Sequence, residues 1–164
     1  MAGKARRPVR PGTVAGDIKQ TRPFPSRADE AGVGLMLTAD VVRRHGEALL
    51  KPFGITLQQY NVLRILRGSR PDSLPTLEIA GRMIEKSPGV TRLLDRLEKK
   101  GLVRRERCAA DRRQVLCGIT EKGLALLDTL EKPVKDSAKP FKRLPQKDLE
   151  RLIELLDAVR RAHR

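Results

Sequence analysis

Hydrophobic residues recur along most of the chain at steps of three and four positions, the spacing that places them on one face of an α-helix. This pattern predicts six helices, at about 30–51, 57–67, 77–84, 88–100, 121–134 and 145–159. Between the fourth and fifth helices the period shortens to two, which predicts strands at 102–107 and 114–119 joined by a polar loop. The chain is therefore predicted to be mainly α-helical, with one β-hairpin.

Residues that start or end helices stand at the boundaries of these segments. Thr56 followed by Gln59 is a capping box, in which each side chain bonds the backbone N–H of the other residue. Ser87 followed by Pro88 is typical of a helix start, with Ser as the N-cap and Pro at the first helical position. Gly101 fits the left-handed cap that ends a helix. These signals support the predicted boundaries independently of the hydrophobic spacing.

The order of the elements favours a winged helix-turn-helix at about residues 55–120. Flanking helices are predicted at about 30–52 and 120–163. The alternative is an ordinary helical bundle that carries a surface hairpin. The distribution of charge separates the two interpretations.

The net charge of +15, from 35 Lys and Arg against 20 Asp and Glu, is concentrated in two segments. Residues 1–28 carry seven basic residues and one acidic residue, and residues 86–113 carry ten basic and four acidic residues. The first segment has few large apolar side chains, so we predict a disordered basic arm. The second is predicted to be a folded basic surface for a polyanion, and an ordinary bundle has no reason to concentrate charge there.

Duplex DNA is the polyanion that the composition favours. The chain has three Phe, one Tyr and no Trp, so it lacks the aromatic platforms on which single-stranded bases stack. A winged helix presents the N-terminal end of its recognition helix, here the fourth predicted helix, to the major groove. The candidate DNA-binding residues on this helix are Ser87, Pro88, Gly89, Thr91, Arg92 and Arg96. For Arg96, an ion pair with an acid of the same helix, such as Glu98, is the alternative.

The tip of the predicted hairpin supplies three further candidate DNA-binding residues, Asp111, Arg112 and Arg113. A narrow minor groove has an enhanced negative potential that attracts Arg, and Asp111 could hold a neighbouring Arg in an extended pose. The alternative is a solvated turn in which Asp is simply a favoured turn residue.

Two stretches resemble the MarR family of bacterial transcriptional regulators. One covers residues 77–103 and includes Leu-Glu-Lys-Lys-Gly-Leu-Val, and the other covers 111–123 and includes Asp-x-Arg followed by Thr-x-x-Gly. The resemblance extends over about residues 31–160. It implies a MarR-like domain at 29–164, whose flanking helices form a homodimer that binds a pseudo-palindromic operator. It also places Asp111 and Arg113 at the family's wing tip.

Many members of that family respond to small aromatic acids, so the resemblance implies a small aromatic effector as a candidate partner. Aromatic lining would have to come from Phe53, Tyr60 or Phe141. Cys108 and Cys117 are predicted to lie on different rungs of the hairpin, too far apart to form a disulfide. Nearby arginines could lower a thiol pKa and create a redox sensor, but inert cysteines are the main expectation.

The sequence contains none of the motifs that would indicate an enzyme or a cofactor site. There is no glycine-rich phosphate loop, no nucleophile elbow and no spacing of His with Cys or carboxylates that suits a metal. No apolar run is long enough to span a bilayer, and none follows the N-terminal charges as in a secretory signal. We therefore expect a cytoplasmic protein that is not an enzyme, without metal or cofactor.

The sequence thus predicts a sequence-specific DNA-binding transcriptional regulator, more specifically a repressor that binds as a homodimer. The alternative is a nucleoid-associated DNA-binding protein of low sequence specificity. A third reading is a protein–protein module that has kept the fold and lost DNA binding. The basic arm is expected to add nonspecific phosphate contacts, and the alternative for the arm is a tail without a role.

Overall fold

The computed structural model describes residues 12–86, 89–109 and 111–163. The chain divides into two compact units, Met1–Ala48 and Leu49–Arg164. Each unit is organised around its own elements.

The first unit contains helix α1 (Val14–Asp17) and most of helix α2 (Arg27–Leu50). The side chain of Thr13 caps α1 by accepting a hydrogen bond from Gly16 N–H at 3.1 Å. A Cβ at Gly34 would lie 2.9 Å from Val14 Cγ2, so α1 packs closely on α2. Residues 12–28 therefore differ from the predicted disordered arm, because this contact orders a short helix. Residues 1–11 lie outside the described part.

The second unit begins with a 3₁₀ turn and contains the remaining helices and a small sheet. In chain order the elements are the turn Lys51–Phe53, α3 (Leu57–Gly68), β1 (Leu74–Pro75), α4 (Thr76–Arg82), α5 (Val90–Lys99), β2 (Val103–Arg107), β3 (Val115–Ile119), α6 (Glu121–Ser137), α7 (Lys139–Lys142) and α8 (Gln146–Ala162). This order confirms the predicted winged helix-turn-helix and its mainly α-helical class.

The sheet has the strand order β1-β3-β2, with antiparallel neighbours. The hairpin of β2 and β3 pairs Val103 with Ile119 and Arg105 with Cys117. Strand β1 is an addition to the prediction, and it pairs Leu74 with Cys117. It is two residues long, so no alternation of polar and apolar residues could reveal it.

The core of this unit lies between α3, α5 and α6. Its largest fully buried side chains include Leu63 and Leu66 from α3, Leu94 and Leu97 from α5, and Leu130 from α6. Burying one such side chain contributes about 1.5–3 kcal/mol. These contacts fix the orientation of α5, the predicted recognition helix.

Helix α8 has a different character, because none of its residues is buried within the described chain. Its predicted apolar stripe is partly solvent-exposed, with exposed fractions of 58% for Ile153 and 43% for Val159. A stripe of this kind can pack within the subunit or against a partner. In the structure, packing within the subunit leaves much of it uncovered.

Candidate DNA-binding surface

The start of α3 is fixed by the predicted capping box. The Thr56 hydroxyl accepts from Gln59 N–H, and the Gln59 side-chain oxygen accepts from Thr56 N–H, both at 3.2 Å. The same helix also holds the turn that precedes α5. Gln58 donates to the Glu85 carboxylate at 2.6 Å, and the Asn61 side-chain oxygen accepts from Ile84 N–H at 3.0 Å. These hydrogen bonds therefore hold the turn before α5 against α3.

Helix α5 is strongly amphipathic, as predicted. Its buried face consists of Val90, Leu93, Leu94 and Leu97. Thr91, Arg92 and Arg96 are exposed, so three of the candidate DNA-binding residues lie on the open surface. Arg92 lies in the first turn of α5, where the positive end of the helix dipole adds to its charge and suits it to phosphates and base edges, whereas Arg96 lies in the last turn.

The start of α5 differs from the prediction. The helix begins at Val90 with Gly89 at its N-cap, and the Gly89 carbonyl accepts from Leu93 N–H at 3.1 Å. The predicted start at Ser87 and Pro88, both candidate DNA-binding residues, lies outside the described residues. Gly89 and the exposed Arg92 are three positions apart, about one helical turn.

The acidic residues of α5 bind a strand arginine that the sequence analysis did not single out. Arg105 Nη2 lies 2.6 Å from Asp95 Oδ1 and 2.7 Å from Glu98 Oε2, and Arg105 Nε donates to Glu98 Oε2 at 2.9 Å. The hydrogen bond to Glu98 is the main cause of the raised pKa of Arg105, with a smaller contribution from Asp95. Glu98, which the sequence offered as an ion-pair partner for Arg96, is therefore bound instead by Arg105 on a strand of the wing.

A sequence signal for Arg105 existed in the alternation of β2. Val103 and Arg105 are two positions apart and share one face of the strand, and Val103 is buried. A cation on the buried face needs partners of opposite charge. The sequence alone does not show which acids come near it.

The wing tip is organised by Asp111. One carboxylate oxygen accepts from the backbone N–H of Arg113 at 3.0 Å, and the other accepts from the Gln114 side chain at 3.1 Å. Asp111 thus behaves as a turn residue, and the suggestion that it holds an Arg side chain extended is not what the structure shows. The side chains of Arg112 and Arg113 are exposed at this tip.

The base of the wing joins two motifs that stand far apart in the sequence. Gly101 has a φ of +70°, the left-handed conformation predicted for the cap of α5. Its carbonyl accepts from the Thr120 hydroxyl at 2.7 Å, and that hydroxyl also accepts from Gly123 N–H at 3.1 Å. The Gly-Leu-Val and Thr-x-x-Gly motifs therefore meet at one joint beneath the hairpin.

The two cysteines are free and lie on different rungs, as predicted. Cys117 is fully buried opposite Arg105, while Cys108 is half-buried beyond the last strand pair. Burial raises the pKa of Cys117, and this effect outweighs the opposing influences of Thr76 and Arg105. The suggestion that neighbouring arginines activate a thiol is therefore wrong for Cys117.

Other kinds of site find little support in the described part of the chain. No group of three His, Cys, Asp or Glu residues there could hold a metal ion. None of its helices combines the length and hydrophobicity needed to cross a membrane. The exposed cations on α5 and the wing tip remain the best candidate site.

Comparison with known proteins identifies the family. The MarR family model matches residues 55–115. A MarR transcription factor from Planctomyces limnophilus is 38% identical, with 83% of this chain and 99% of that chain covered and a TM-score of 0.65. Sco3205, a MarR family transcriptional regulator from Streptomyces coelicolor solved in complex with DNA, is 26% identical, with 86% and 91% covered and a TM-score of 0.75.

A further similar structure was solved with a small molecule. CouR from Rhodococcus jostii RHA1, bound to p-coumaroyl-CoA, is 25% identical, with 83% of this chain and 95% of that chain covered and a TM-score of 0.70. The identity to the Planctomyces protein over almost its whole length is decisive for the assignment. The chain belongs to the MarR family of transcriptional regulators.

Proposed function

We propose that this DNA-binding regulator is a repressor that recognises a pseudo-palindromic operator as a homodimer. In this proposal α5 enters the major groove with Thr91, Arg92 and Arg96, and the wing brings Arg112 and Arg113 to the adjacent minor groove. The proposal also assigns a DNA-binding role to Ser87, Pro88 and Gly89, which precede α5 in the sequence. Asp111 contributes by shaping the wing tip.

One observation carries the proposal. The exposed face of α5 presents Arg92 and Arg96, while both acidic residues of the helix are bound to Arg105. A surface that presents cations while its two carboxylates are paired with a third cation favours a polyanion. A helical surface of this kind beside a basic hairpin tip matches the shape of duplex DNA, whose major groove admits an α-helix.

The uncovered apolar residues of two helices support the homodimer. In α2, Met36 is 65% exposed and Val41 is 58% exposed, and the stripe of α8 is similarly uncovered. Exposed apolar residues on a helix are typical of protein–protein interfaces when they form a patch, and each of the two helices carries several. A two-fold axis between the subunits would present two copies of α5, which explains why we propose a pseudo-palindromic operator.

A small aromatic effector is the second partner in the proposal. Its support is the likeness to CouR, which was solved with p-coumaroyl-CoA. Of the aromatic side chains predicted to line such a site, Phe53 and Tyr60 are half-buried against the core and Phe141 is exposed. Titration of the DNA complex with p-coumaroyl-CoA as the probe should release DNA, and no release with this compound would argue against an effector of its class.

Selection of duplexes from a random-sequence library tests sequence specificity. We expect a pseudo-palindrome that binds about 10³-fold or more tightly than unrelated DNA at physiological salt. A ratio near one would overturn the proposal and favour a nucleoid-associated protein of low specificity. Reporter expression from a promoter that carries the selected site then tests repression, since a repressor lowers expression when it occupies the promoter.

A further inference from the structure

We infer that Arg105 is a positioning residue of the DNA-binding surface, which keeps Arg92 available to DNA by occupying Asp95 and Glu98. The inference rests on the proposed contact between α5 and DNA. Arg105 is not proposed to touch DNA itself. Its side chain is 23% exposed and is directed to the two carboxylates of α5.

Asp95 and Glu98 form a like-charge pair on one helix. They are three positions apart, a spacing at which side chains are neighbours and like charges destabilise a helix. Arg105 bridges them, with Nη2 within 2.7 Å of an oxygen of each. A single guanidinium from β2 thus offsets one of the two negative charges and binds both acids of the recognition helix.

The spacing along α5 shows what would happen without Arg105. Arg92 lies three positions before Asp95, within reach of an ion pair along the helix surface. In the structure Asp95 is bound to Arg105, and Arg92 is exposed. Removal of the Arg105 cation would release Asp95 to bind Arg92, and the pair would compete with DNA phosphates.

The geometry also couples the wing to the recognition helix. Arg105 belongs to β2, and its backbone pairs with Cys117 of β3. Hydrogen bonds from its Nε and Nη2 atoms to α5 connect the hairpin and the helix through side chains that are only partly exposed. Contacts of a guanidinium with two carboxylates are directional, so they favour one orientation of the side chains.

A double-mutant cycle between Arg92 and Arg105 tests the inference on the selected operator. In the wild type, Arg92→Gln should weaken DNA binding about tenfold and lower the slope of log Kobs against log[salt] by about 0.9 for each bound subunit. In an Arg105→Gln background, which is itself weakened, Arg92→Gln should cause a much smaller further loss. The triple variant Arg105→Gln/Asp95→Asn/Glu98→Gln should regain the wild-type dependence on Arg92.

Controls separate positioning from folding. Arg104 is the neighbouring residue of β2, and its side chain lies over Gly118 on the other face of the strand. Arg104→Gln therefore removes a nearby charge and should leave the effect of Arg92→Gln unchanged. Arg105→Lys keeps a cation and should also retain the dependence on Arg92. Thermal unfolding of each variant identifies a temperature at which all are folded, and binding is compared there.

The outcomes distinguish this inference from the proposed function. Independent, additive effects of Arg92→Gln and Arg105→Gln, with no recovery in the triple variant, would overturn the positioning role and leave DNA binding intact. If Arg105→Gln lost DNA binding only in proportion to the fraction of unfolded protein, Arg105 would be a structural residue and not a positioning residue. Failure of the proposed function shows itself differently, as a wild-type protein that selects no sequence or binds without any contribution from Arg92.

Discussion

The Thr120 hydroxyl donates a hydrogen bond to the carbonyl oxygen of Gly101 at 2.7 Å, and this bond closes the base of the wing. The same hydroxyl caps α6. One side chain therefore satisfies the carbonyl at the end of α5 and an N–H at the start of α6. The orientation of the hairpin relative to the recognition helix depends on this joint.

Replacing Thr120 by Val should destabilise the protein by about 1–2 kcal/mol, because the cap and the bond to Gly101 are both lost. Urea unfolding followed by circular dichroism measures the change. Thr129→Val in the middle of α6 is the matched control, since its hydroxyl only donates to the Ala125 carbonyl within an exposed turn of the helix. Equal effects of the two substitutions would show that the joint has no special importance.

At the same joint, the space around residue 123 is too small for any side chain, so glycine is required there. A Cβ there would lie 2.4 Å from the Leu102 carbonyl oxygen and 2.7 Å from Ile119 Cγ1, so Gly123→Ala must displace backbone. We expect a loss of about 1–3 kcal/mol in the free energy of unfolding. Gly81→Ala on α4 is the control, because its Cβ meets nothing within 4 Å, and it should stabilise by about 0.5–1 kcal/mol. A stabilising Gly123→Ala would contradict the described packing.

The two thiols should differ in reactivity. In a Cys108→Ser variant the remaining thiol, Cys117, should react with Ellman's reagent at pH 7 only as fast as the protein opens, because it is fully buried with a raised pKa. The half-buried Cys108 in a Cys117→Ser variant should react faster at the same pH. Rapid labelling of native Cys117 would show that β1 does not cover it.

The raised pKa of Cys117 also sets a pH dependence. A thiol that is neutral in the fold and ionises more readily in the unfolded chain contributes stability that is fully present below its unfolded pKa. That stability is lost as pH rises through the higher folded pKa. Stability in the alkaline range should thus fall more in Cys108→Ser than in Cys108→Ser/Cys117→Ala. Parallel pH profiles would exclude this linkage.

The basic residues at the N-terminus should increase affinity without adding sequence specificity. Deletion of residues 1–11 removes Lys4, Arg6, Arg7 and Arg10 and leaves α1 on α2. We expect weaker binding to operator and unrelated DNA alike, with a shallower salt dependence. Fluorescence anisotropy at several salt concentrations gives the slope, and a slope equal to that of the full chain would assign the segment no role in binding.

Local features of the fold could be predicted from the sequence because their causes are local. The Thr56–Gln59 capping box and the left-handed Gly101 depend on residues within one turn, and both are confirmed. The amphipathic face of α5 follows from the spacing of its own leucines. Neighbouring residues were sufficient in each case.

Features that depend on contacts between residues far apart in the chain could not be predicted from the sequence. β1 exists only because Leu74 and Pro75 meet β3, more than forty positions away. Helix α1 is four residues long and depends on packing at Gly34. The binding of Asp95 and Glu98 by Arg105 requires the hairpin to fold back on α5, which no local pattern shows.

The salt dependence of operator binding is the most direct test of the claim that α5 and the wing tip contact DNA. The wild type should show a steep linear fall of log Kobs with log[salt], and Arg92→Gln/Arg113→Gln should reduce the slope by about 1.8 for each bound subunit, about 0.9 for each lost phosphate contact. The control Lys132→Gln removes one charge from α6, outside the proposed DNA-binding surface, and should leave the slope at its wild-type value. Identical slopes for wild type and the double arginine variant, with both folded, would contradict the account.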